Sequence, residues 1–453
     1  MARTVKKKKE LTLEEKLAEA LVPLEEQPYL VPENWCWVKW GDTGEFVAGS
    51  GFKNEYQGFT EYEIPFYKVG SLKHSDANGF IYDNSNTIND DIRSKLKASL
   101  IPPHSILFAK IGEAIRLNRR SINEIACCID NNMMAFIPNC SMRYAFYWSC
   151  GVDLYKYTNA TTVPAIRKSD LEMIPFPLPP LPEQQRIVDR IESLFAKLDE
   201  AKEKAQAVVD RFEDRKAAIL HKAFTGELTA GWRKEHGHTL SEWTSRRVFD
   251  VGEIITGCTP STKNPEYYNG SIPFIKPTEL NQGRNVAVSA ETVTEKGRAV
   301  SRPIRAGSTC ICCIGATISK CGLVSVDCVT NQQINTIVPY DFMDDVFVYY
   351  YCCSSKFKNE LIANSSATTL PIINKKKTSD LQFIVPPKEE QHLIASILDS
   401  LFEKEQQAKE AAEQVISQID TMKKSILARA FRGELGTNDP ADENAEELLK
   451  QTL

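Results

Sequence analysis

Apolar side chains recur at alternating steps of four and three along two stretches of this chain. Ile187, Ile191, Leu194, Leu198, Ala201, Ala205, Val208, Phe212 and Ile219 form the first series, with charged Arg215 filling one step. Ile394, Leu398, Leu401, Ala408, Ala412, Val415, Ile419, Met422 and Ile426 form the second, with Glu405 filling one step. A seam of this period sustained over about five heptads predicts a coiled coil. Each predicted helix follows a proline stop, Pro179-Pro180-Leu181-Pro182 or Pro386-Pro387, and each ends at a glycine, Gly226 or Gly433. About forty residues at 1.5 Å each make a rod of roughly 60 Å.

The two helices are copies of each other. Glu183 to Leu228 and Glu390 to Leu435 run in parallel at a constant offset of 207 residues, without a gap. Glu183-Gln184 answers Glu390-Gln391, Ser193-Leu194-Phe195 answers Ser400-Leu401-Phe402, and Ala223-Phe224-Thr225-Gly226-Glu227-Leu228 answers Ala430-Phe431-Arg432-Gly433-Glu434-Leu435. A period this long is a duplicated module, not a solenoid. A domain-sized segment separates the copies, and loop closure costs little more as length grows, so intrachain antiparallel pairing is expected over pairing between molecules.

The intervening segments are related more loosely. Ile64-Pro65-Phe66-Tyr67-Lys68 matches Ile272-Pro273-Phe274-Ile275-Lys276, Ile111-Gly112 matches Ile314-Gly315, and Thr161-Thr162-Val163-Pro164 matches Thr368-Thr369-Leu370-Pro371. Runs such as Ser105 to Ile111 and Ser308 to Ile314, set among Gly, Pro and Asn, predict mixed domains with a substantial sheet. The expected plan is an N-terminal extension at 1–29, a globule at 30–178, a repeated helix at 179–232, a second globule at 233–385, a second helix at 386–436 and an acidic tail at 437–453. Scaffold positions repeat while loops diverge, as expected of two globules doing one job on different targets. Drift after duplication would leave the same pattern.

Composition adds little against this plan. The 453 residues are 42% hydrophobic and 25% charged, as in an ordinary soluble chain. No apolar run reaches the roughly 18 residues of a membrane helix. The charged start does not fit a signal peptide, and the Lys6-Lys7-Lys8-Lys9 run fits a solvated terminus. Thirteen cysteines with no secretory signal point to reduced thiols in a cytoplasmic protein. Cys310 and Cys313 have C-x-x-C spacing but fall in a predicted buried strand, where core packing explains them; Cys127-Cys128 and Cys352-Cys353 are read the same way. The net charge of −5 does not exclude DNA, because Asp439, Asp442, Glu443, Glu446 and Glu447 concentrate acid in the tail.

Enzymatic signatures are missing. There is no G-x-x-x-x-G-K-[ST] loop, no G-x-G-x-x-G after a strand, no G-x-S-x-G elbow, and no Asn/Asp-Pro-Pro-aromatic motif. His236 and His238 sit in a hydrophilic linker as solvated residues. Binding is therefore favoured over catalysis. Candidate DNA contacts are Lys68, Lys73 and His74 after the Ile64 strand, and Arg116, Asn118, Arg119 and Arg120 after Ile111-Gly112. In the second globule Lys276, Asn281, Gln282, Arg284 and Asn285 occupy the corresponding place. Arg, Asn and Gln can grip base edges with two hydrogen bonds, and Lys neutralises phosphate.

The Pro-Pro-Leu-Pro-Glu-Gln-Gln run at 179–185, Pro-Pro-Lys-Glu-Glu-Gln at 386–391 and the twin Ala-Phe-Thr/Arg-Gly-Glu-Leu endings resemble the specificity subunit of type I restriction–modification systems. Lys388 and Glu389 depart from the Leu181 and Pro182 of the first copy. The resemblance implies an α+β fold: two mixed α/β target-recognition domains separated by two long helices in an antiparallel intrachain coiled coil with pseudo-two-fold symmetry. It further implies that each domain reads half of a bipartite double-stranded DNA site. The helices would dock two methyltransferase subunits, and ATP-dependent restriction subunits would join them. The chain itself would have no catalytic residue, cofactor or metal. A coiled-coil scaffold that binds proteins through both globules is the alternative.

Overall fold

The computed structural model describes residues 12–159, 163–366 and 371–452. The Lys6 to Lys9 run and most of the two Thr-Thr matches lie outside those residues. Two compact units result: Met1–Glu203 with Ile416–Leu453, and Lys204–Val415. We call them unit 1 and unit 2.

Both repeated stretches are helical. The central helix runs Leu181–Asp210, breaks at Arg211, and continues as Phe212–Phe224; the distal helix is unbroken over Lys388–Ala430. The break is a correction to the single helix read from the heptads. Arg211, at φ −86° and ψ 3°, lies in the bridge region between helix and strand. Gly226 and Gly433 follow the ends with φ of +84° and +71°, where a side chain would be strained.

Within unit 1, Lys423 Nζ meets Asp199 Oδ1 at 2.5 Å and Lys202 Nζ lies 3.7 Å from Asp420 Oδ1. One residue number climbs by three as the other falls by three, so the segments are antiparallel. Unit 2 gives the same sense: Arg215 pairs with Glu405, and Lys409 lies over the Phe212 ring. Of the seam, Ile187, Ile191, Phe212, Ile394, Leu398 and Ile419 are buried, while Leu194, Leu198, Val208, Ile219, Leu401 and Ile426 are half-buried. Val415 and Met422 are exposed instead, at 41% and 46%.

In unit 1 a five-stranded sheet has the order Gly44–Ala48, Met133–Pro138, Ile106–Ala109, Arg120–Asn123, Phe80–Ile81, antiparallel except for the last pair. A smaller sheet pairs Ile64–Tyr67 with Thr87–Ile88 and, in parallel, with Cys128–Ile129. In unit 2 the larger sheet is Gly252–Thr256, Ile334–Pro339, Thr309–Cys312, Cys321–Leu323, and the smaller is built on Tyr268–Ile275 and Cys328–Thr330. Trp40, Phe46, Phe136 and Trp148 fill the first core; Phe224, Phe347, Tyr351 and Phe383 fill the second. Cys310, Cys312, Cys127, Cys128 and Cys352 are buried among apolar neighbours, and burial pushes the Cys310 thiol up to about 12.

Each domain begins and ends in a two-stranded ribbon, Cys36–Lys39 with Pro175–Leu178 or Thr244–Arg247 with Gln382–Val385. Entry and exit are thereby drawn to the head of a long helix. The first ribbon is covered: Val22 N donates to Trp37 O at 2.9 Å, and Leu21 bridges to Val38. Thr244–Arg247 is exposed throughout. Cys-Trp-Val-Lys against Thr-Ser-Arg-Arg is therefore a difference in cover rather than in fold. The acidic tail is also folded into unit 1, as the helix Ala445–Thr452 with Ala445 and Leu449 buried. Net acidity hid this apolar stripe.

Candidate nucleic-acid interface

The repeated Glu-Gln pair fastens each domain to its helix. Gln184 Nε2 donates to Pro179 O at 2.9 Å, and its Oε1 accepts from Ser141 N at 2.9 Å, at the head of the helix Met142–Gly151. Gln391 repeats this with Pro386 O and Asp344 N, both at 2.9 Å, at the head of Asp345–Cys353. The glutamates bind the chain that follows the other long helix. Glu183 accepts from Thr437 Oγ1 at 3.0 Å and Asn438 Nδ2 at 2.9 Å. Glu390 accepts from Thr229 Oγ1 at 2.6 Å, Trp243 Nε1 at 2.7 Å and Arg233. All four Glu and Gln side chains are buried.

Two to three turns on, a second fastening repeats. Phe195 packs on Tyr147 and Phe402 on Tyr350, with ring centroids 5.8 and 5.3 Å apart. Lys423 lies over the first phenylalanine and Lys216 over the second. Glu192 accepts from the Tyr147 hydroxyl at 3.2 Å and from Arg143 Nη2 at 2.6 Å. Asp399 accepts from the Tyr350 hydroxyl at 2.5 Å and from Arg284 at 2.6 and 2.7 Å.

With the helix fixed, one end of each sheet is presented on a common backbone. Gly49 N donates to Met133 O and Gly257 N to Ile334 O, at 3.2 and 3.0 Å. Lys110 N donates to Asn132 O and Cys313 N to Gln333 O, both at 2.8 Å. Gly112 N donates to Pro164 O and Gly315 N to Pro371 O, at 2.7 and 2.9 Å. A Cβ on Gly49 or Gly257 would lie about 2 Å from a carbonyl oxygen, Asp130 O at 1.9 Å or Asn331 O at 2.1 Å, so only glycine fits. The side chains on this frame differ between copies, Lys110 against Cys313 and Asp130 against Asn331. Burial pushes the Asp130 carboxyl up and the Lys110 amine down, each opposed by its charged neighbours.

The sequence-predicted contacts divide sharply. Lys73, His74, Arg119, Asn281 and Asn285 are exposed. Lys68 is half-buried and donates to Gln57 Oε1 at 2.9 Å; Lys276 is paired with Glu291. Arg116 is exposed but binds Glu113 at 2.8 Å and stacks 3.6 Å over the Tyr155 ring. Four candidates are bonded into the fold. Arg120 is buried, donating to Asn118 Oδ1 at 3.0 Å and Val152 O at 3.3 Å, and burial lowers its pKa to about 10. Asn118 also donates to Cys150 O at 3.2 Å from a left-handed position that ends a helical turn. Gln282 closes its own loop, donating to Val288 O at 2.7 Å and accepting from two backbone amides. Arg284 is the Asp399 clamp. None of these four can reach a base without leaving a buried or half-buried partner unmatched. The amide-rich turns Asp130-Asn131-Asn132 and Asn331-Gln332-Gln333 lie at this sheet end, and no composition signal in the sequence marks a three-residue turn.

The family described as type I restriction modification DNA specificity domain matches this chain twice, over residues 32–209 and 240–417. The chain is 24% identical over 314 residues to the type I restriction enzyme EcoDI specificity subunit of Escherichia coli, covering 64% of this chain and 69% of that one. It is 30% identical over 167 residues to the HindI specificity subunit of Haemophilus influenzae, covering 36% of each. Alignment with the MjaIX specificity subunit of Methanocaldococcus jannaschii, 28% identical, covers 40% of this chain and 43% of that one. The crystal structure of the HsdS subunit from Thermoanaerobacter tengcongensis shares the fold, with a TM-score of 0.63 at 19% identity over 91% of this chain and 100% of that one. Two domains of one kind, each clamped to a repeated long helix, make this a protein of paired recognition modules, and the matched domain is a specificity domain rather than a catalytic one. The chain belongs to the type I restriction–modification DNA specificity family. Among the described residues no helix is long and apolar enough to cross a membrane.

Proposed function

We propose that this chain is the DNA-recognition subunit of a type I restriction–modification complex. It reads a bipartite, asymmetric double-stranded site with one domain per half-site. Two methyltransferase subunits dock through the helical regions, and ATP-dependent restriction subunits join them. The observation that carries this reading is the sheet-end frame, identical in backbone bonding in both domains and different in side chains. A common frame with variable side chains is what two readers of unlike sequences require, since phosphate contacts position and base contacts specify. A structure described as the basis of complex assembly in the type I system has a TM-score of 0.63 to this fold at 18% identity, which supports the partner assignment.

The test is to express the chain with methyltransferase subunits and map the modified bases. A split motif with two unlike halves is expected. A protein-binding scaffold would leave no motif that depends on this chain.

A further inference from the structure

Three-residue turns join the smaller to the larger sheet in both domains at the shared sheet end. In unit 1, Asp130 N donates to Tyr67 O at 3.0 Å, Met133 N to Asp130 O at 3.0 Å, and Asn132 N to Asp130 Oδ1 at 3.0 Å. In unit 2, Asn331 N donates to Ile275 O at 3.2 Å, Ile334 N to Asn331 O at 3.2 Å, and Gln333 N to Asn331 Oδ1 at 3.1 Å. The first residue of each turn thus spends its side chain on holding the turn. The middle residue, Asn131 or Gln332, is left exposed at the tip.

These tips are matched in chemistry as well as in place. Both carry a carboxamide, one donor and one acceptor side by side. Asn131 has no hydrogen-bond partner among the described residues, and Gln332 Oε1 accepts from Thr259 Oγ1 at 2.6 Å, which aims its amide. The positions differ by one methylene, and the residue before each differs in charge. Asp130, whose carboxyl interacts with Lys68 and Lys110, precedes Asn131, where unit 2 has the neutral Asn331. A carboxamide on a rigid turn is suited to the paired donor and acceptor, N6 and N7, on the major-groove edge of adenine.

Resting on the two-reader function above, we propose that Asn131 and Gln332 are matched specificity-determining residues, each presenting its carboxamide to an adenine edge in its own half-site. The assembled complex with methyltransferase subunits tests this on a library carrying every single-base change of the mapped site. Asn131→Ala should lose about tenfold or more of the discrimination at one adenine of one half, with the other half unchanged. Gln332→Ala should do the same in the opposite half. Asn131→Asp keeps the acceptor but loses the donor and should show the same loss with an unshifted unfolding midpoint, which separates lost reading from misfolding. Discrimination retained at every position by either alanine variant, or lost only at bases other than adenine, would overturn the proposal. A native complex that modifies no split site overturns the two-reader function itself, and this assignment with it.

Discussion

Arg215 donates from Nε to Glu405 Oε2 across 2.6 Å, joining the charged residue that interrupts one heptad seam to the charged residue that interrupts the other. The counterparts of these positions at the 207-residue repeat are Met422 and Leu198, both apolar. Slipping the two helical segments by one heptad, so that Arg215 faced Leu398 and Glu405 faced Val208, would set each charge against an apolar seam residue, so the pair disfavours that register, as polar groups in coiled-coil seams do.

Replacing Arg215 or Glu405 alone by Leu should therefore cost about 1–2 kcal/mol, between the values for exposed and buried pairs. The double change Arg215→Met with Glu405→Leu, which copies the apolar step of unit 1, should come within about 1 kcal/mol of the parent. A double-mutant cycle from urea unfolding measures the coupling. Strictly additive single effects would mean that the two side chains do not support each other.

Glu183 supplies a pH signature. Burial pushes its carboxyl above the ordinary range, against the opposing bonds from Thr437 and Asn438. The folded state then holds the proton more tightly than the unfolded one, so this group stabilises unit 1 at pH below its unfolded pKa and loses that contribution as pH rises through the folded pKa. The unfolding midpoint of Glu183→Gln, compared with the parent from pH 4 to pH 8, should lack that component. Identical pH profiles would show that Glu183 titrates as an exposed residue does.

Neighbouring arginines in the first domain should behave oppositely. Arg119 is exposed, so Arg119→Ala should leave stability within about 0.5 kcal/mol and reduce the salt dependence of DNA binding by about one phosphate contact. Arg120→Ala empties a buried site that holds Asn118 and Val152 and should cost about 2 kcal/mol or more. Titrations at several salt concentrations, set beside thermal unfolding, distinguish the two. A stability loss at Arg119 equal to that at Arg120 would contradict the assignment.

If the helices set the spacing between half-sites, removing one matched heptad from both shortens the rod by about 10 Å, roughly three base pairs. The methylated motif of that variant should have a correspondingly shorter spacer and unchanged halves. An unchanged spacer in a folded, active complex would remove the ruler from the account.

The seam, the repeat and the proline and glycine stops were legible because local periodicity and backbone chemistry carry them. The Glu-Gln pair was visible as a motif, but its role was not, since Glu183 binds Thr437 and Asn438 far along the chain. Arg120 and Arg284 looked like loop cations because burial and pairing depend on residues distant in sequence. The fold of the tail was hidden for the same reason: the stripe that buries Ala445 and Leu449 is too short to stand out from its acidic neighbours.

Exchange of residues 240–385 for those of a relative with a different target, followed by mapping of modified adenines in the assembled complex, tests the two-reader claim most directly. One half of the split motif should change while the other half stays as it was. A motif altered in both halves, or one that is continuous, would contradict it.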